Sequence, residues 1–270
     1  MAEIDILQTG KMLVSSAVHD RESKKNKFAY TGILQSKKGR CEVPVKAFLI
    51  KIKGKNVLVD TGWSEQCAIN ALRHLGGALY FSSHPTMTLN ESVKRQLEAQ
   101  GLTAEDLDAV ILTHLDCDHA SGIVDLKGAK HFYVAKEEFE ASLLPNPRYH
   151  KNIWKGVEFD EVQMNYDSRA PFGKSCDLFG DGSVRIVFTP GHSAGSACVV
   201  VKENGKMAVI AGDNGVSEKS WSELILSGPI HNIQNMKISL RWLNKMYNNE
   251  NCVAVLTSHD KEYKETKIEF

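Results

Sequence analysis

Short apolar runs recur along the chain and are separated by polar or turn-forming residues. Runs that are rich in β-branched and aliphatic side chains and bounded by Gly, Pro, Asn or Asp are typical of β-strands. The runs predict strands at Ile4–Leu7, Met12–Val18, Val45–Ile52, Val57–Val59, Ala109–Leu112, Phe132–Val134, Val184–Phe188, Ala197–Val201, Met207–Ile210 and Cys252–Leu256. Strands are therefore expected along the whole chain.

Between these runs, apolar residues recur at helical spacing. The pattern predicts helices at Glu65–Leu75, Leu89–Gln100, Lys136–Leu143 and Ile233–Tyr247. The second of these follows Thr88 with Glu91 three residues on, the signature of a capping box, and ends before Gly101. Strands and helices do not alternate strictly, because consecutive strands at both ends of the chain resemble hairpins. The order favours an α/β protein (α+β by some schemes) with two mixed sheets flanked by helices.

No Pro-, Ser- or Gly-rich linker and no internal repeat divides the 270 residues, so we expect a single domain over 1–270. The least regular stretch runs from about Leu144 to Asp181 and contains Pro145, Pro147 and Pro171. A stretch of this length is either a long surface loop or a lid over a binding site. Both interpretations remain open at this point.

Composition excludes several classes of protein. Hydrophobic residues make up 42% and charged residues 24%, with 33 Lys+Arg against 33 Asp+Glu, which is typical of a globular protein and not of a disordered or fibrous one. Residues 1–60 hold 12 Lys/Arg against 6 Asp/Glu. This local excess indicates either a solvated basic hairpin or an anion-binding rim.

Nothing in the sequence predicts export or membrane insertion. The first ten residues, MAEIDILQTG, carry acids where a secretory signal has a basic region, and no apolar run approaches the ~20 residues of a membrane span. The six cysteines form no CxxC pair. Free thiols and a cytoplasmic location are therefore expected, without a membrane partner.

The segment with the clearest chemistry follows the predicted strand at Ala109–Leu112. Within six residues it presents His114, Asp116, Asp118 and His119. Imidazole nitrogens and carboxylate oxygens are ordinary ligands for zinc or a similar divalent ion, and alternate positions can point at two neighbouring centres. Any one of these residues alone has an ordinary structural explanation, but four together predict a metal site.

Three later strands are each followed by one more residue of ligand type. His192, Asp213 and His259 come after the predicted strands that end at Phe188, Ile210 and Leu256. Ligand sites in proteins with parallel strands gather where strands end. We therefore expect all four strand ends to meet at one edge.

This ordered set resembles the metallo-β-lactamase superfamily, whose hallmark is an HxHxDH motif followed by a His, an Asp and a final His. The resemblance runs from about residue 45 to 260 and implies an αββα sandwich. The stretches VPVKAFLIKI and LVDTGW are most similar to the N-acyl homoserine lactonase-like branch. In the second stretch, Asp60 matches a family residue that supports the metal loop without binding the metal.

Position by position, the resemblance implies two divalent cations, with zinc as the expected metal. The ligands it implies for a first metal, a second metal and a bridge between them are His114, Asp116 and His192; Asp118, His119 and His259; and Asp213. Asp116 departs from the family, where most relatives have His. Harder ions such as Mn²⁺ or Fe²⁺ favour a carboxylate, and a third carboxylate would make the metal pair less electrophilic.

The implied activity is hydrolysis of an ester bond by a hydroxide that bridges the two metals. A lactone similar to an acyl homoserine lactone is the leading substrate, followed by other esters and thioesters, and Asp118 is the expected catalytic residue, orienting the hydroxide or passing its proton to the leaving group. A phosphodiesterase or nuclease of the same superfamily is the alternative, weakly favoured by Asp116 and the basic segment. A non-catalytic metal-bound sensor is a third interpretation. The oligomeric state is open between monomer and homodimer.

A second departure concerns the substrate. Lactonases of this family place a Tyr three residues after the bridging Asp, where this sequence has Val216. Tyr149 or Tyr166 could replace it, although half-buried packing is the ordinary role of such residues. Cys117 lies between two of these residues, and its side chain is expected to point away from the metals and to pack instead of acting as a nucleophile. The other histidines, expected at the surface or in supporting roles, are His19, His74, His84, His131, His150 and His231.

Overall fold

The computed structural model describes residues 1–20 and 39–270. Its strands are β1 (Glu3–Ser15), β2 (Arg40–Ile52), β3 (Lys55–Val59), β4 (Pro85–Thr86), β5 (Ala109–Ile111), β6 (Phe132–Val134), β7 (Asp160–Glu161), β8 (Asn165–Tyr166), β9 (Lys174–Asp177), β10 (Val184–Phe188), β11 (Ala197–Glu203), β12 (Lys206–Ile210), β13 (Cys252–Leu256) and β14 (Lys267–Glu269). Its helices are α1 (Glu65–Ser83), α2 (Val93–Ala99), α3 (Cys117–Ala120), α4 (Lys136–Leu143), α5 (Glu218–Ser222) and α6 (Ile233–Tyr247).

The first sheet has eight strands in the order β14-β1-β2-β3-β5-β6-β7, with β4 paired to β1. Strands β1 and β2 form a long antiparallel pair whose register shifts between Gln8 and Lys11, next to Gly10 at φ +98°. Residues 21–38, which carry half of the basic residues of the first 60, lie outside the described residues, so the expectation of a basic hairpin falls largely on them. From β3 to β7 the neighbours are parallel.

The second sheet has six strands in the order β13-β12-β11-β10-β9-β8. Its pairs are antiparallel except β12 with β13, which run parallel. Since β12 and β13 are parallel, the residues that follow them leave the sheet at the same edge. This places the Asp213 and His259 segments side by side.

Alternate residues of the first sheet contribute to two different cores. In β2, Phe48, Ile50 and Ile52 pack between the two sheets, whereas Val45 and Leu49 pack under the helices on the outer face. Burial on both faces explains why this strand reads as a continuous apolar run. A third cluster packs α5 and α6 on the outer face of the second sheet. The layers are therefore helix, sheet, sheet and helix, which confirms the predicted αββα sandwich.

Two of the predicted helices have different bounds in the structure. The first continues to Ser83 and is kinked at Asn70 and at Gly76, where φ is +75°. The predicted start of the second helix at Leu89 is wrong. The capping box of Thr88 and Glu91 begins a separate 3₁₀ turn over Leu89–Glu91. Helix α2 begins afterwards, because the Ser92 hydroxyl accepts from the backbone N–H of Arg95 at 3.2 Å and starts a new helix.

The predicted helices Lys136–Leu143 and Ile233–Tyr247 are confirmed with the same bounds. The irregular stretch after Leu144 contains a 3₁₀ turn (Lys151–Trp154) and three of the short strands, β7 to β9. Ile153 and Trp154 are buried in the core under the first sheet. This part of the stretch is therefore packed onto the body of the protein. Among the described residues, we find no helix that is both long and apolar enough to cross a membrane.

Candidate metal centre

The seven predicted ligands meet at one edge of the sandwich, where the strands of both sheets end. One short segment after β5 carries four of them and turns into α3. The other three follow β10, β12 and β13. Except for Asp116, whose side chain is 16% exposed, all of them are buried. The expectation that these strand ends converge is confirmed.

His114, Asp116 and His192 form a first group. Their nitrogen and oxygen atoms lie within 4.8 Å of one another. Oδ2 of Asp116 is 3.3 Å from Nε2 of His114 and 3.1 Å from Nε2 of His192. Three donor atoms at this spacing surround a volume that one divalent cation would fill.

Asp118, His119 and His259 form a second group of the same kind. Oδ2 of Asp118 is 3.4 Å from Nε2 of His119 and 3.2 Å from Nε2 of His259. The two imidazole nitrogens are 3.4 Å apart. Along the segment the first two candidate ligands therefore belong to the first group and the next two belong to the second.

Asp213 lies between the two groups and presents one oxygen to each. Its Oδ1 is 3.3 Å from Nε2 of His119 and 3.2 Å from Nε2 of His259, in the second group. Its Oδ2 is 3.5 Å from Nε2 of His192 and 4.0 Å from Nε2 of His114, in the first group. This is the arrangement expected of a carboxylate that bridges two cations.

Several of these atoms lack hydrogen-bond partners although they are buried. Nε2 of His114, Oδ2 of Asp118 and Oδ1 of Asp213 have none among the described residues. A buried polar atom without a partner costs roughly 1–3 kcal/mol. Divalent cations would satisfy all three atoms, so the residues present fit a pair of metal ions.

Hydrogen bonds from behind fix the orientation of the imidazole rings. Asp60, fully buried, accepts from Nδ1 of His119 at 2.8 Å and from the backbone N–H of Thr113 at 2.8 Å. Nδ1 of His259 donates to the carbonyl of Pro44 at 2.9 Å, and the Thr113 hydroxyl is 3.0 Å from Nδ1 of His114. Such contacts at Nδ1 leave Nε2 free to bind a metal. The supporting role expected for Asp60 has the geometry it requires.

Close backbone packing holds the Asp213 loop against the His114 loop. Gly212 has φ +52°, and a Cβ placed there would lie 2.6 Å from the Thr113 hydroxyl oxygen. Thr257 donates its hydroxyl hydrogen to the Gly212 carbonyl at 2.9 Å. Only glycine permits this approach.

The charges in the cluster stabilise one another strongly. Burial opposes a charge on His259, but Asp213 and Asp118 raise its pKa to about 10. Burial likewise opposes the Asp213 carboxylate, whose pKa His259 and His119 hold well below its ordinary value. In the metal-free protein the His259 ring is therefore doubly protonated and positively charged at neutral pH. A metal that binds Nε2 must displace the proton from that atom.

Arg148 reaches the centre from the irregular stretch and was missed by sequence reasoning. Its Nη2 donates to Oδ2 of Asp116 at 2.7 Å and its Nε donates to Oδ1 of the same carboxylate. Its Nη1 donates to the carbonyl of His192 at 2.7 Å. Burial raises the pKa of Asp116, but Arg148 and His114 together hold it well below its ordinary value.

Glu138 of α4 is a second residue that the sequence did not indicate. It is fully buried and accepts from the backbone N–H groups of Leu115 at 3.0 Å and Gly195 at 2.9 Å. The Tyr149 hydroxyl donates to it at 3.0 Å. One carboxylate thus joins the segment of the first four ligands, the His192 loop and the stretch that carries Arg148.

The burial and the contacts of Val216, Tyr149, Tyr166 and Cys117 show what each side chain does in the structure. Val216 is buried in the core under the first sheet and presents no polar group. The Tyr149 hydroxyl is bound to Glu138, and Tyr166 is 85% exposed on the edge strand β8. Cys117 packs in the core, as expected, and burial raises its pKa well above the ordinary value. The six other histidines belong to neither group of ligands.

Comparison with known proteins decides the family. The model of the Metallo-beta-lactamase superfamily matches residues 42–246. The chain belongs to this superfamily. As a metallo-beta-lactamase superfamily protein it is 26% identical over 225 residues to the N-acyl homoserine lactonase AttM of Rhizobium radiobacter, which covers 82% of this chain and 83% of AttM. It is also 32% identical over 165 residues to a probable metallo-hydrolase of Mycobacterium tuberculosis, covering 58% of this chain and 52% of the relative.

Solved structures show the same superfamily fold. An N-acyl homoserine lactone hydrolase with the product N-hexanoyl-L-homoserine bound at its catalytic metal centre superimposes with a TM-score of 0.76 at 19% identity. The match covers 96% of this chain and 94% of that one. Together with the relatives in sequence, it supports the resemblance to the lactonase-like branch.

Proposed function

We propose that this protein is a metal-dependent hydrolase that uses two divalent cations to open an ester bond, with a lactone as the leading substrate. The observation that carries the proposal is Asp213, whose two oxygens face different groups of three ligands. A single cation would need only one of these groups. The seven donors are therefore assigned as two sites with a bridge, and zinc is the expected metal.

Two divalent cations held by these two groups would activate water near neutral pH and polarise a carbonyl oxygen. The residues of the chain supply the remaining functions. Asp118, a member of the second group whose Oδ2 lies 3.2 Å from Nε2 of His259, is assigned to orient the attacking water and to pass a proton to the leaving group. Asp60 and the Pro44 carbonyl hold His119 and His259 in the tautomer that binds metal.

The preference for a lactone rests on the relatives named as N-acyl homoserine lactonases and on the shared fold. Val216, which is buried, stands where the resemblance implies a tyrosine, and valine has no hydroxyl to offer there. We therefore expect a lactone, ester or thioester substrate whose leaving oxygen or sulfur is assisted by Asp118 and the metals, without a tyrosine hydroxyl. All six cysteines are free thiols, which supports a reducing, cytoplasmic setting.

The test is metal analysis followed by a substrate panel on the same preparation. Protein purified without chelators should contain about two metals per chain and hydrolyse a lactone or ester. Asp213→Ala should lose both metal and turnover, because it removes an oxygen from each group. His131→Ala, at an exposed histidine outside the groups, is the matched control and should lose neither.

Other results would point elsewhere. Cleavage of bis(p-nitrophenyl) phosphate without activity on lactones, esters or thioesters would replace the proposal with a phosphodiesterase. A fully metal-loaded protein that is inactive on every substrate of the panel would favour the non-catalytic sensor. Full metal content and turnover in Asp213→Ala would contradict the assignment of the site.

A further inference from the structure

Arg148 and Asp116 form the best-aligned ion pair in the described part of the metal centre. The guanidinium meets both oxygens of the carboxylate side by side, which is the strongest geometry for such a pair. Their side chains are only 17% and 16% exposed. A pair so shielded from water is worth more than an exposed one, where solvent screening reduces the attraction.

The same guanidinium also reaches a second ligand loop. Its third nitrogen, Nη1, donates to the backbone carbonyl of His192, whose ring faces Asp116. Arg148 therefore connects the Asp116 and His192 loops of the first group. A carboxylate has about four lone-pair sites, so Asp116 can accept two bonds from Arg148 and still face His114 and His192 with Oδ2.

The charge of the centre gives this pair a further meaning. With Asp116, Asp118 and Asp213 ionised, the ligand set carries one more negative charge than a set with histidine at position 116. Arginine is always protonated in proteins. Its charge, in direct contact with Asp116, removes the excess and returns the ligand set to the charge of its all-histidine counterpart.

We propose that Arg148 is a positioning residue that orients Asp116 toward the first metal and cancels its charge, so that the two side chains together act as one neutral ligand in place of histidine. This inference rests on the proposed two-metal function. It explains how a carboxylate can occupy position 116 without making the metal pair less electrophilic.

The proposal predicts that histidine, the residue usual at this position in the superfamily, is unfavourable here as long as Arg148 stays. Asp116→His would leave the guanidinium without the carboxylate that it contacts directly, beside the first metal. In Asp116→His/Arg148→Met that charge is gone. A double-mutant cycle therefore isolates the coupling between the two positions.

The measured quantity is the affinity for the more weakly held metal, from competition with a coloured chelator, together with metal per chain. With Arg148 present, Asp116→His should weaken that affinity roughly 10–100-fold, the range seen when the surroundings of a ligand are disturbed. In the Arg148→Met background the same substitution should change it less than about threefold. Circular dichroism of each metal-free variant checks that the fold is intact.

Arg148→Lys separates charge from geometry. Lysine keeps the charge but cannot form the two-pronged contact. Asp116→His should cost as much affinity in this background as with arginine. A small cost there would overturn the charge compensation and leave only positioning.

Equal costs of Asp116→His in the arginine and methionine backgrounds would overturn the proposal altogether. Because the readout is metal affinity, this failure is distinct from failure of the proposed function. The function fails if the wild-type protein binds no metal or hydrolyses nothing. The inference fails if the wild-type protein binds metal normally and the cycle shows no coupling.

Discussion

The contact between Asp60 and His119 permits a sharp test of how the metal site is held. Asp60 accepts from Nδ1 of His119 on Oδ2 and from the backbone N–H of Thr113 on Oδ1, both at 2.8 Å. All three residues are buried. Asp60→Asn keeps the shape of the side chain but turns one acceptor into an NH₂ donor.

Either orientation of the new amide places two donors face to face. If the NH₂ faces Thr113, the backbone N–H loses its acceptor. If it faces His119, the ring must move its proton from Nδ1 to Nε2, the atom that points at Asp213 and His259. We therefore expect a 10–100-fold loss of metal affinity, which corresponds to about 1.4–2.7 kcal/mol.

The assay is a zinc titration of the metal-free protein against a coloured chelator, with urea unfolding in EDTA to measure stability separately. Asp125→Asn is the matched control, because Asp125 makes the same kind of contact, with the backbone N–H of Glu65 at 2.8 Å, outside the ligand groups. It should leave zinc affinity unchanged. A folded Asp60→Asn protein that binds zinc within twofold of wild type would refute the tautomer argument.

Three further predictions concern stability. Glu138→Gln should lower the free energy of unfolding of the metal-free chain in urea by roughly 2–4 kcal/mol, because the new NH₂ group faces a buried backbone N–H. Tyr149→Phe removes only one hydrogen bond to Glu138 and should cost about 1 kcal/mol. Equal losses in the two variants would contradict the linking role of the carboxylate. Gly212→Ala should lower the free energy of unfolding by roughly 1–3 kcal/mol more than Gly54→Ala. Both glycines have a positive φ, but only at Gly212 would an added Cβ clash with a neighbour. Similar urea midpoints for the two variants would argue against the close packing. The pKa of His259 is raised to about 10, so the stability that its charge contributes to the metal-free chain is full below the unfolded pKa of about 6.5 and is lost as pH rises towards 10. Urea unfolding should therefore show a less stable metal-free chain at pH 9 than at pH 6. Equal stability at the two pH values would refute the raised pKa.

The convergence of the seven candidate ligands could be predicted from sequence because the segments that carry them follow apolar strands. Strand ends on parallel neighbours share an edge, so position in the sequence translates into position in space. His192, Asp213 and His259 span almost 70 residues of the chain, yet the position of each after a strand end predicts that they lie together. The covering of the first sheet on both faces could also be predicted, because an unbroken run of apolar residues in a strand indicates that both of its faces are buried.

Arg148 and Glu138 could not be predicted in this way. Arg148 lies in an irregular stretch with no period to orient its side chain, and Glu138 lies in a helix where a charged residue is ordinarily exposed. One physical signal was nevertheless available. An additional carboxylate at position 116, largely shielded from water, needs a nearby positive charge. That requirement predicts a cation but not which Lys or Arg supplies it, because the answer depends on how the stretch packs.

The order of the candidate ligands along the chain has a consequence for biosynthesis. Strand β1 pairs with β14 through Ile4 and Ile268, and His259 lies only a few residues before β14. A chain still being translated holds Asp60 and the His114 segment long before it holds the last ligand. We therefore expect the nascent protein to capture a metal only incompletely, so that loading of the pair is completed after residue 259 has been synthesised and β13 has paired with β12.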